Sequence, residues 1–498
     1  MLRLEHESNV DILRQAAVLL ERENKSLVQK NLDLQRRLLA LQGASPEQLA
    51  MRIAELEQQL ATRNHALFGD RSEKQHSDEP SAAAADRKPR TGHGPRAQVQ
   101  LPVVEQVHDL DAADRVCTVC GGHLDEWEGQ TEESEEIDVV ERHFVLKKHL
   151  RKKYRCSCGA CIETAPAPPK LIEGGRYSID FAIEVAVQKY LDHLPLEGQV
   201  RIMAREGLAV DSQTLWDQIN ALAKLLRDLP ERIRQRVLSQ HPVFADETTW
   251  RLMTGKRGPP GDAGRWYVWS VGAPDAVYYR IQKHRSAEAA EQLLGGYSGV
   301  VMCDGYGAYG SLAKNRADLV LAHCWAHVRR KYLEVEEFFP VQAKAIVGMI
   351  AELYAVESAC PAGPAGDEIR RQLRDERSRA IVQRIRQWAL TTPAMPESGL
   401  GKATAYMSGL WSGLTRFLDD PRIPLDNNLV ERALRDPVMG RKNHFGSKSK
   451  RGLEVAGLYY TVLHTAKLVG VDPKAYLRRA VNAARAGETI PLPHEIAS

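Results

Sequence analysis

No run of apolar residues in this 498-residue chain is long enough to cross a bilayer. The most apolar later segment, Val455 to Val471, carries His464 and Lys467 and stops short of the roughly 20 residues a spanning helix needs. No apolar stretch follows the start either, so the expectation is a soluble, cytoplasmic protein without membrane contact. Charge imbalance is also missing. With 68 Lys and Arg against 65 Asp and Glu, the net charge of +3 leaves any nucleic-acid binding to local basic patches rather than to the whole surface. The P-loop signature is absent, which removes a nucleotide-driven step of that type. Cysteine is scarce outside one region. Five of the eight lie between Cys117 and Cys161, and without a secretion signal such clustering points to a metal site in a reducing compartment rather than to a disulfide framework.

The length exceeds one hydrophobic core and calls for several domains of roughly 100 to 200 residues. Leu13, Leu20, Leu27, Leu34 and Leu41 repeat every seven residues, with Val10, Ala17, Asn24, Asn31 and Leu38 at the partner core positions. Asn24 and Asn31 satisfy each other best in an in-register parallel pair, so residues 1–70 are expected to be a dimerising coiled coil. The alternative is an intrachain hairpin with the second run at Leu49, Ile53, Leu56 and Leu60. Residues 71–100 hold almost no large apolar side chains and form a flexible linker. Residues 101–170 read as a zinc-binding module: Cys117 and Cys120 have knuckle spacing, and Cys158 and Cys161 supply a second pair, with Cys156 able to replace one of them. Between the pairs, Arg142–Arg155 is a basic strand pair with interleaved aromatics, in which Arg151, Lys152 and Lys153 are placed for phosphate contact or form a solvated edge. Residues 171–237 show three short helices, with Gly207 in the turn before the third. Either this is a helix-turn-helix that reads DNA through Gln213 and Thr214, or it is an ordinary small helical packing unit.

From residue 238 the pattern becomes strand-like. Val243–Thr249, Trp266–Val271 and Ala276–Ile281 precede a helix at Ala287–Leu294, a strand at Val300–Asp304, another near Leu319–Ala322 and a helix from about Trp325. That βββαβαβα order is ribonuclease-H-like, and it puts the first and fourth strands side by side. Asp246 and Asp304 then stand together at their ends, with Gly305 letting the backbone turn away. Residues 331–420 read as a helical insertion, after which Glu431 begins a helix with Asp426, Asn427 and Asn428 as cap candidates. The core would span 238–330 and 421–475, followed by a C-terminal tail at 476–498. Three acids converging in this way suit two divalent metal ions and phosphodiester chemistry. Arg441, Lys442 and Lys448, with Lys450 and Arg451, follow Glu431 and are placed to hold phosphates. The predicted class is a multidomain α+β protein whose catalytic core is a ribonuclease-H-like α/β unit with a helical insertion.

Ala245-Asp-Glu-Thr, Asp304-Gly-Tyr, Cys324-Trp-Ala-His-Val-Arg-Arg-Lys, Leu425-Asp-Asn-Asn-Leu-Val-Glu-Arg and Gly440-Arg-Lys-Asn together resemble the DDE transposases of the insertion sequence 66 family. Leu67-Phe-Gly-Asp-Arg-Ser-Glu-Lys, His193-Leu-Pro-Leu and the closing Thr465-Ala-Lys-Leu-Val-Gly-Val-Asp-Pro extend the resemblance over nearly the whole chain. It implies catalytic Asp246, Asp304 and Glu431, holding two Mg2+ ions with Mn2+ as a substitute, and structural Zn2+ at the cysteines. It also implies double-stranded DNA as partner, both element ends and target, with association with the nucleoid when bound and small accessory proteins beside it. His444 departs from the pattern, standing where an aromatic often follows Gly-Arg-Lys-Asn. The Cys324-x-x-His327 pair cannot by itself fill a zinc shell and reads as structural support. Two other functions fit parts of the chain: a catalytically silent DNA-binding regulator derived from a transposase, against which the intact acids argue, and a ribonuclease-H-like nuclease that cuts without joining. If the zipper pairs two chains, the solution mass of the protein falls from dimer to monomer on dilution; an unchanging monomer mass supports the hairpin.

Overall fold

The computed structural model describes residues 143–155, 162–253, 264–361 and 363–496. The expected coiled coil at 1–70, the linker at 71–100 and the proposed zinc ligands Cys117, Cys120, Cys156, Cys158 and Cys161 lie outside the described residues. Among those that are described, no helix is long and apolar enough to cross a membrane. The basic run 142–155, expected as a strand pair, is strand only at β1 (Lys153–Arg155), which pairs antiparallel with β2 (Ile162–Thr164). The described residues before Lys153 have no ladder partner and leave Leu146 and Leu150 exposed, so alternation alone did not make a strand there.

Four helices follow: α1 (Ile179–Tyr190), α2 (Leu196–Arg205), α3 (Ser212–Leu225) and α4 (Leu229–Leu238). Side-chain caps start two of them, Ser178 accepting from the Phe181 N–H and Asp211 from the Thr214 N–H. Their apolar faces do not close on themselves. Ile183, Leu215, Ile219 and Leu222 share one core with the strands and with helices near the C-terminus, so the chain from 179 onward is packed as part of the sheet assembly.

The central sheet comprises β3 (Val243–Arg251), β4 (Arg265–Ala273), β5 (Ala276–Gln282), β6 (Gly299–Cys303) and β7 (Leu319–His323), in the order β5-β4-β3-β6-β7. The first three strands are antiparallel neighbours, while β6 and β7 join parallel. This mixed five-stranded sheet has the strand order expected of a ribonuclease-H-like core. Alternation sends Ala245 and Glu247 to the face covered by α5 (Ala287–Leu294) and α6 (Gly307–Asn315), and Phe244 and Asp246 to the other. Helices α13 (Asn428–His444) and α14 (Lys450–Leu468) pack against the sheet.

Both sheet edges are closed by side chains. Thr461 and Thr465, four residues apart on α14, accept the Tyr279 and Val277 N–H groups of β5 at 3.0 and 3.1 Å, and Thr465 returns a hydrogen bond to the Val277 carbonyl. At the opposite edge, Arg416 donates to the Leu321 carbonyl of β7 at 2.8 Å. Residues expected to form a tail from 476 onward instead continue helix α15 (Pro473–Ala486), because Tyr476, Leu477, Ala480 and Val481 form an apolar stripe that buries. Arg478 of α15 pairs with Asp180 of α1.

Between β7 and α13 run α7 (Trp325–Leu333), α8 (Pro340–Ser358), α9 (Asp367–Leu373), α10 (Arg379–Thr391), α11 (Gly399–Gly409) and the short α12 (Trp411–Leu414). They build a second core around Trp325, Tyr332, Ile346, Ile350 and Ile385 that reaches the sheet at Phe244 and Met302. Arg374, in a π-helical turn after α9, is buried and fastens this excursion to the returning chain. It pairs with Glu357 at 2.7 and 2.8 Å and donates to the Asp420 and Ile423 carbonyls.

Helix α13 contains Pro437, which has no N–H for the Ala433 carbonyl. The Tyr279 hydroxyl of β5 supplies the missing donor at 2.8 Å. The same helix carries Asp436, which faces His464 at 3.3 Å and His193 at 3.7 Å, so the His193-Leu-Pro-Leu corner is docked on α13. Removing the tyrosine hydroxyl should orphan a carbonyl: Tyr279→Phe is expected to destabilise by about 1 to 3 kcal/mol in chemical denaturation. In the Tyr279→Phe/Pro437→Ala double variant the restored helical N–H should recover the carbonyl's share of that loss but not the part due to His464 Nδ1, which lies 2.9 Å from the same hydroxyl; purely additive losses would show that the hydroxyl does not serve the Ala433 carbonyl.

Candidate active site

β3 and β6 pair at Val243↔Val301 and Phe244↔Met302. Carried two residues on, that register sets position 246 beside position 304, both on the face shared by Phe244 and Met302. Asp304 lies just beyond the last residue of β6. Local amides orient both carboxylates: Asp246 Oδ1 accepts from the Glu247 N–H at 2.8 Å and Asp304 Oδ1 from the Tyr306 N–H at 2.9 Å. Gly305 was expected to serve a backbone turn, yet it adopts no left-handed conformation. A Cβ there would lie 2.7 Å from Leu410 and 2.8 Å from Tyr406, so the glycine lets the inserted helices press against the Asp304 loop. Tyr406 also accepts the Gly305 N–H at 3.3 Å.

Glu431 sits on the first turn of α13, near enough for its charge to raise the Asp246 pKa, although its ligand atoms group with Cys324 and His327 rather than with the two aspartates; Asn427 fixes where that turn begins. Cap chemistry predicts a local bond for Asn427, but its buried side-chain amide donates across to the Ala245 carbonyl at 2.9 Å. Its own N–H donates to Cys324 Sγ at 3.3 Å, while Asp426 takes over the local role by accepting the Asn428 N–H at 3.1 Å. The helix carrying Glu431 is thereby stitched to the residue next to Asp246. A further bond, from the Trp325 N–H to the Leu425 carbonyl at 2.8 Å, joins α7 to the same segment. Glu431 Oε1 lies 3.5 Å from His327 Nδ1 and 4.0 Å from Cys324 Sγ.

Burial pushes the Asp246 carboxyl well above the usual carboxylate range, and the charges of Glu247, Asp304 and Glu431 push it further. Glu247 points to the opposite face, where Arg285 Nε at 2.8 Å and the Tyr309 hydroxyl at 2.7 Å hold it. Burial raises its pKa too, against the pull of those partners. The Arg285 guanidinium stacks 3.6 Å from the centre of the Tyr306 ring, and Tyr306 donates to the Arg285 carbonyl at 2.6 Å. Sequence reading missed Glu247, Arg285 and Tyr309. Strand alternation could have sent Glu247 inward beside Asp246, but nothing local announces its partners.

The residues expected to meet DNA are spread over several elements. Arg151, Lys152 and Lys153 are exposed at and before β1, with Arg151 donating to the Ala165 carbonyl at 2.6 Å. Gln213 and Thr214 sit on the first turn of α3; Gln213 is exposed and bonded to Asp217 at 2.9 Å. Lys442, Lys448 and Lys450 are exposed. Burial, with Lys448 nearby, holds Lys189 down at about 8, so two cations adjoin there. Arg441 and Arg451, expected to hold phosphates, are used as braces: Arg441 donates to the Thr249 carbonyl at 2.6 Å, and Arg451 to Asn220 and Glu454 at 2.8 Å. His444 replaces an aromatic by behaving as one. It is buried against Trp250 at 5.9 Å between ring centres, and burial pushes its pKa down to about 3.

Comparison with known proteins gives two kinds of match. The family model described as Transposase IS66 family matches residues 174–455. The uncharacterized protein y4jD of Sinorhizobium fredii is 33% identical over 395 residues, covering 76% of each chain. The uncharacterized protein y4qI of the same organism is 33% identical over 364 residues, covering 70% of this chain and 67% of the other.

The raised pKa of Asp246 fixes a sign. A carboxyl whose folded pKa exceeds its unfolded value adds stability below the unfolded pKa and loses it as pH rises through the folded one. Without divalent metal, Asp246→Asn should therefore be more stable than wild type at neutral and higher pH, by roughly 2 °C in Tm for each kcal/mol relieved, and the gap should close as the solution is acidified. A lower Tm for Asp246→Asn at pH 8 without metal would contradict this electrostatic account.

Proposed function

The chain belongs to the IS66 family of transposases, and from that premise we propose that it cuts DNA at the ends of a mobile element and joins the freed 3′ ends to target DNA, with Asp246, Asp304 and Glu431 holding the divalent ions that this chemistry uses. What supports the reading is that Asp246 on β3 is buried where the charges of Asp304, at the end of β6, and Glu431, on α13, both raise its pKa. A donor set of carboxylate oxygens with uncompensated charge fits Mg2+, with Mn2+ as a substitute. Two such ions, when bound, supply activation of the attacking hydroxyl and neutralisation of the leaving oxygen.

The chain's own residues do the positioning. The backbone amides of Glu247 and Tyr306 set the rotamers of Asp246 and Asp304, and Asn427 sets the approach of Glu431. Such fixed geometry is what an in-line displacement demands, since small misplacements cost large factors in rate. Arg285, anchored by Glu247 and stacked on Tyr306, presents a half-exposed guanidinium beside the acids for a DNA phosphate. Lys442, Lys448 and Lys450 offer further phosphate contacts beyond the C-terminal end of α13. The helices at 179–225 would contact element ends through Gln213 and Thr214. Cys117, Cys120, Cys158 and Cys161 would hold structural zinc, and the heptads at 1–70 would pair two copies so that two ends are handled together, with accessory proteins assisting.

Labelled DNA carrying the element ends should be cleaved and joined by the purified chain in magnesium. Asp246→Asn, Asp304→Ala and Glu431→Ala should each lose about 10³-fold or more in rate, equivalent to roughly 4 kcal/mol of barrier. End binding without cleavage, with accessory proteins supplied, would favour a DNA-binding regulator. Cleavage that never yields joined product would favour a nuclease.

A further inference from the structure

We propose that Cys324, His327 and Glu431 form a site for one divalent ion of the zinc class, and that filling it withdraws Glu431 from Asp246 and Asp304 and arrests DNA chemistry. The arrest rests on the transposase reading above; the site does not.

Cys324 is the residue just before α7, and His327 is three residues on. That spacing brings both side chains to the same side of the first turn, where α13 delivers Glu431. The three ligand atoms lie within 4.8 Å of one another, with Glu431 Oε1 4.0 Å from the sulfur and 3.5 Å from the imidazole nitrogen. Bonds of about 2.0 Å to nitrogen and oxygen and about 2.3 Å to sulfur place tetrahedral ligands ~3.3 to 3.5 Å apart, so closure needs side-chain shifts of no more than about an ångström. Three protein donors with the fourth position open is the pattern of accessible zinc sites rather than closed structural ones.

Two further observations point to a cation. His327 Nδ1 is buried without a hydrogen-bond partner and faces the Glu431 carboxylate at 3.5 Å, so that nitrogen is left to carry either a proton or a metal ion toward the carboxylate. The Asn427 N–H is aimed at Cys324 Sγ at 3.3 Å, a donor that stabilises sulfur as a thiolate ligand. Soft sulfur with imidazole selects zinc-class ions against magnesium, so this site and the carboxylate site differ in preference while sharing Glu431. On binding, the metal–sulfur bond replaces the sulfur–hydrogen bond, and the proton leaves to solvent.

The test titrates the full-length protein with Co2+ as a spectroscopic probe and compares it with Cys324→Ser, so that thiolates elsewhere in the chain cancel. The wild type should bind one equivalent more, with a thiolate-to-cobalt charge-transfer band in the difference spectrum. His327→Gln and Glu431→Gln should each weaken that equivalent by about tenfold or more. In magnesium-dependent cleavage, zinc beyond the tightly held equivalents should inhibit the wild type, and Cys324→Ser should need at least about tenfold more zinc for the same inhibition. Identical cobalt stoichiometry and spectra in wild type, Cys324→Ser and His327→Gln would overturn the site, and including the histidine variant covers a serine variant that fails to fold. Loss of the band with unchanged zinc inhibition would overturn the arrest. A wild type that cleaves no DNA with accessory proteins supplied would sink the DNA-cleaving reading while the cobalt titration still decides the site.

Discussion

Like charge forced into one place is the constraint around which this molecule is arranged. Asp246, Asp304 and Glu431 lie near one end of a sheet on one side of it, with Glu247 on the other face, and the charges of the other three all raise the Asp246 pKa. Only Glu247 is given a full counter-set, Arg285 and Tyr309, on the far face. Asp246 has no such counter-set, and burial with the neighbouring carboxylates raises its pKa. Nothing in their own interactions would keep them together, so the scaffold must.

It does so with a few long-range ties. Asn427 stitches the start of α13 to β3 and, through its N–H, to Cys324. Tyr279 completes the proline-broken turn in the middle of that helix, and Asp436 anchors it to His464 and His193. Arg374 clamps the inserted helices to the segment that leads back into α13, which keeps the long excursion from loosening the position of Glu431. Each tie uses a buried polar group whose removal would orphan its partner, which makes the arrangement stiff as well as specific.

Much of the fold was legible because its signals are local. Alternation in Val243–Arg251 and the apolar run before Asp304 each act within a few residues, and the strand order followed from element order. What escaped depended on partners far away in sequence. Asn427 carries cap chemistry, but a buried carbonyl on β3 outcompeted the local amide. Gly305 stands at a backbone bend as expected, but its close contact with Tyr406 and Leu410 had no local signal. Arg441 and Arg451 also brace Thr249 and Asn220, bonds that charge on a sequence does not announce because it does not say which acceptor lies nearby. The stripe at Tyr476, Leu477, Ala480 and Val481 was periodic and could have been read as a helix.

The threonine seal on β5 ties the fate of the sheet to the order of synthesis. Strands β3 to β7 leave the ribosome long before Thr461 and Thr465, so the nascent sheet carries a bare edge through the making of the whole helical insertion. A chain that stopped within that interval would carry β5 with the N–H groups of Val277 and Tyr279 unpaired, an edge open to pairing with a strand of another molecule.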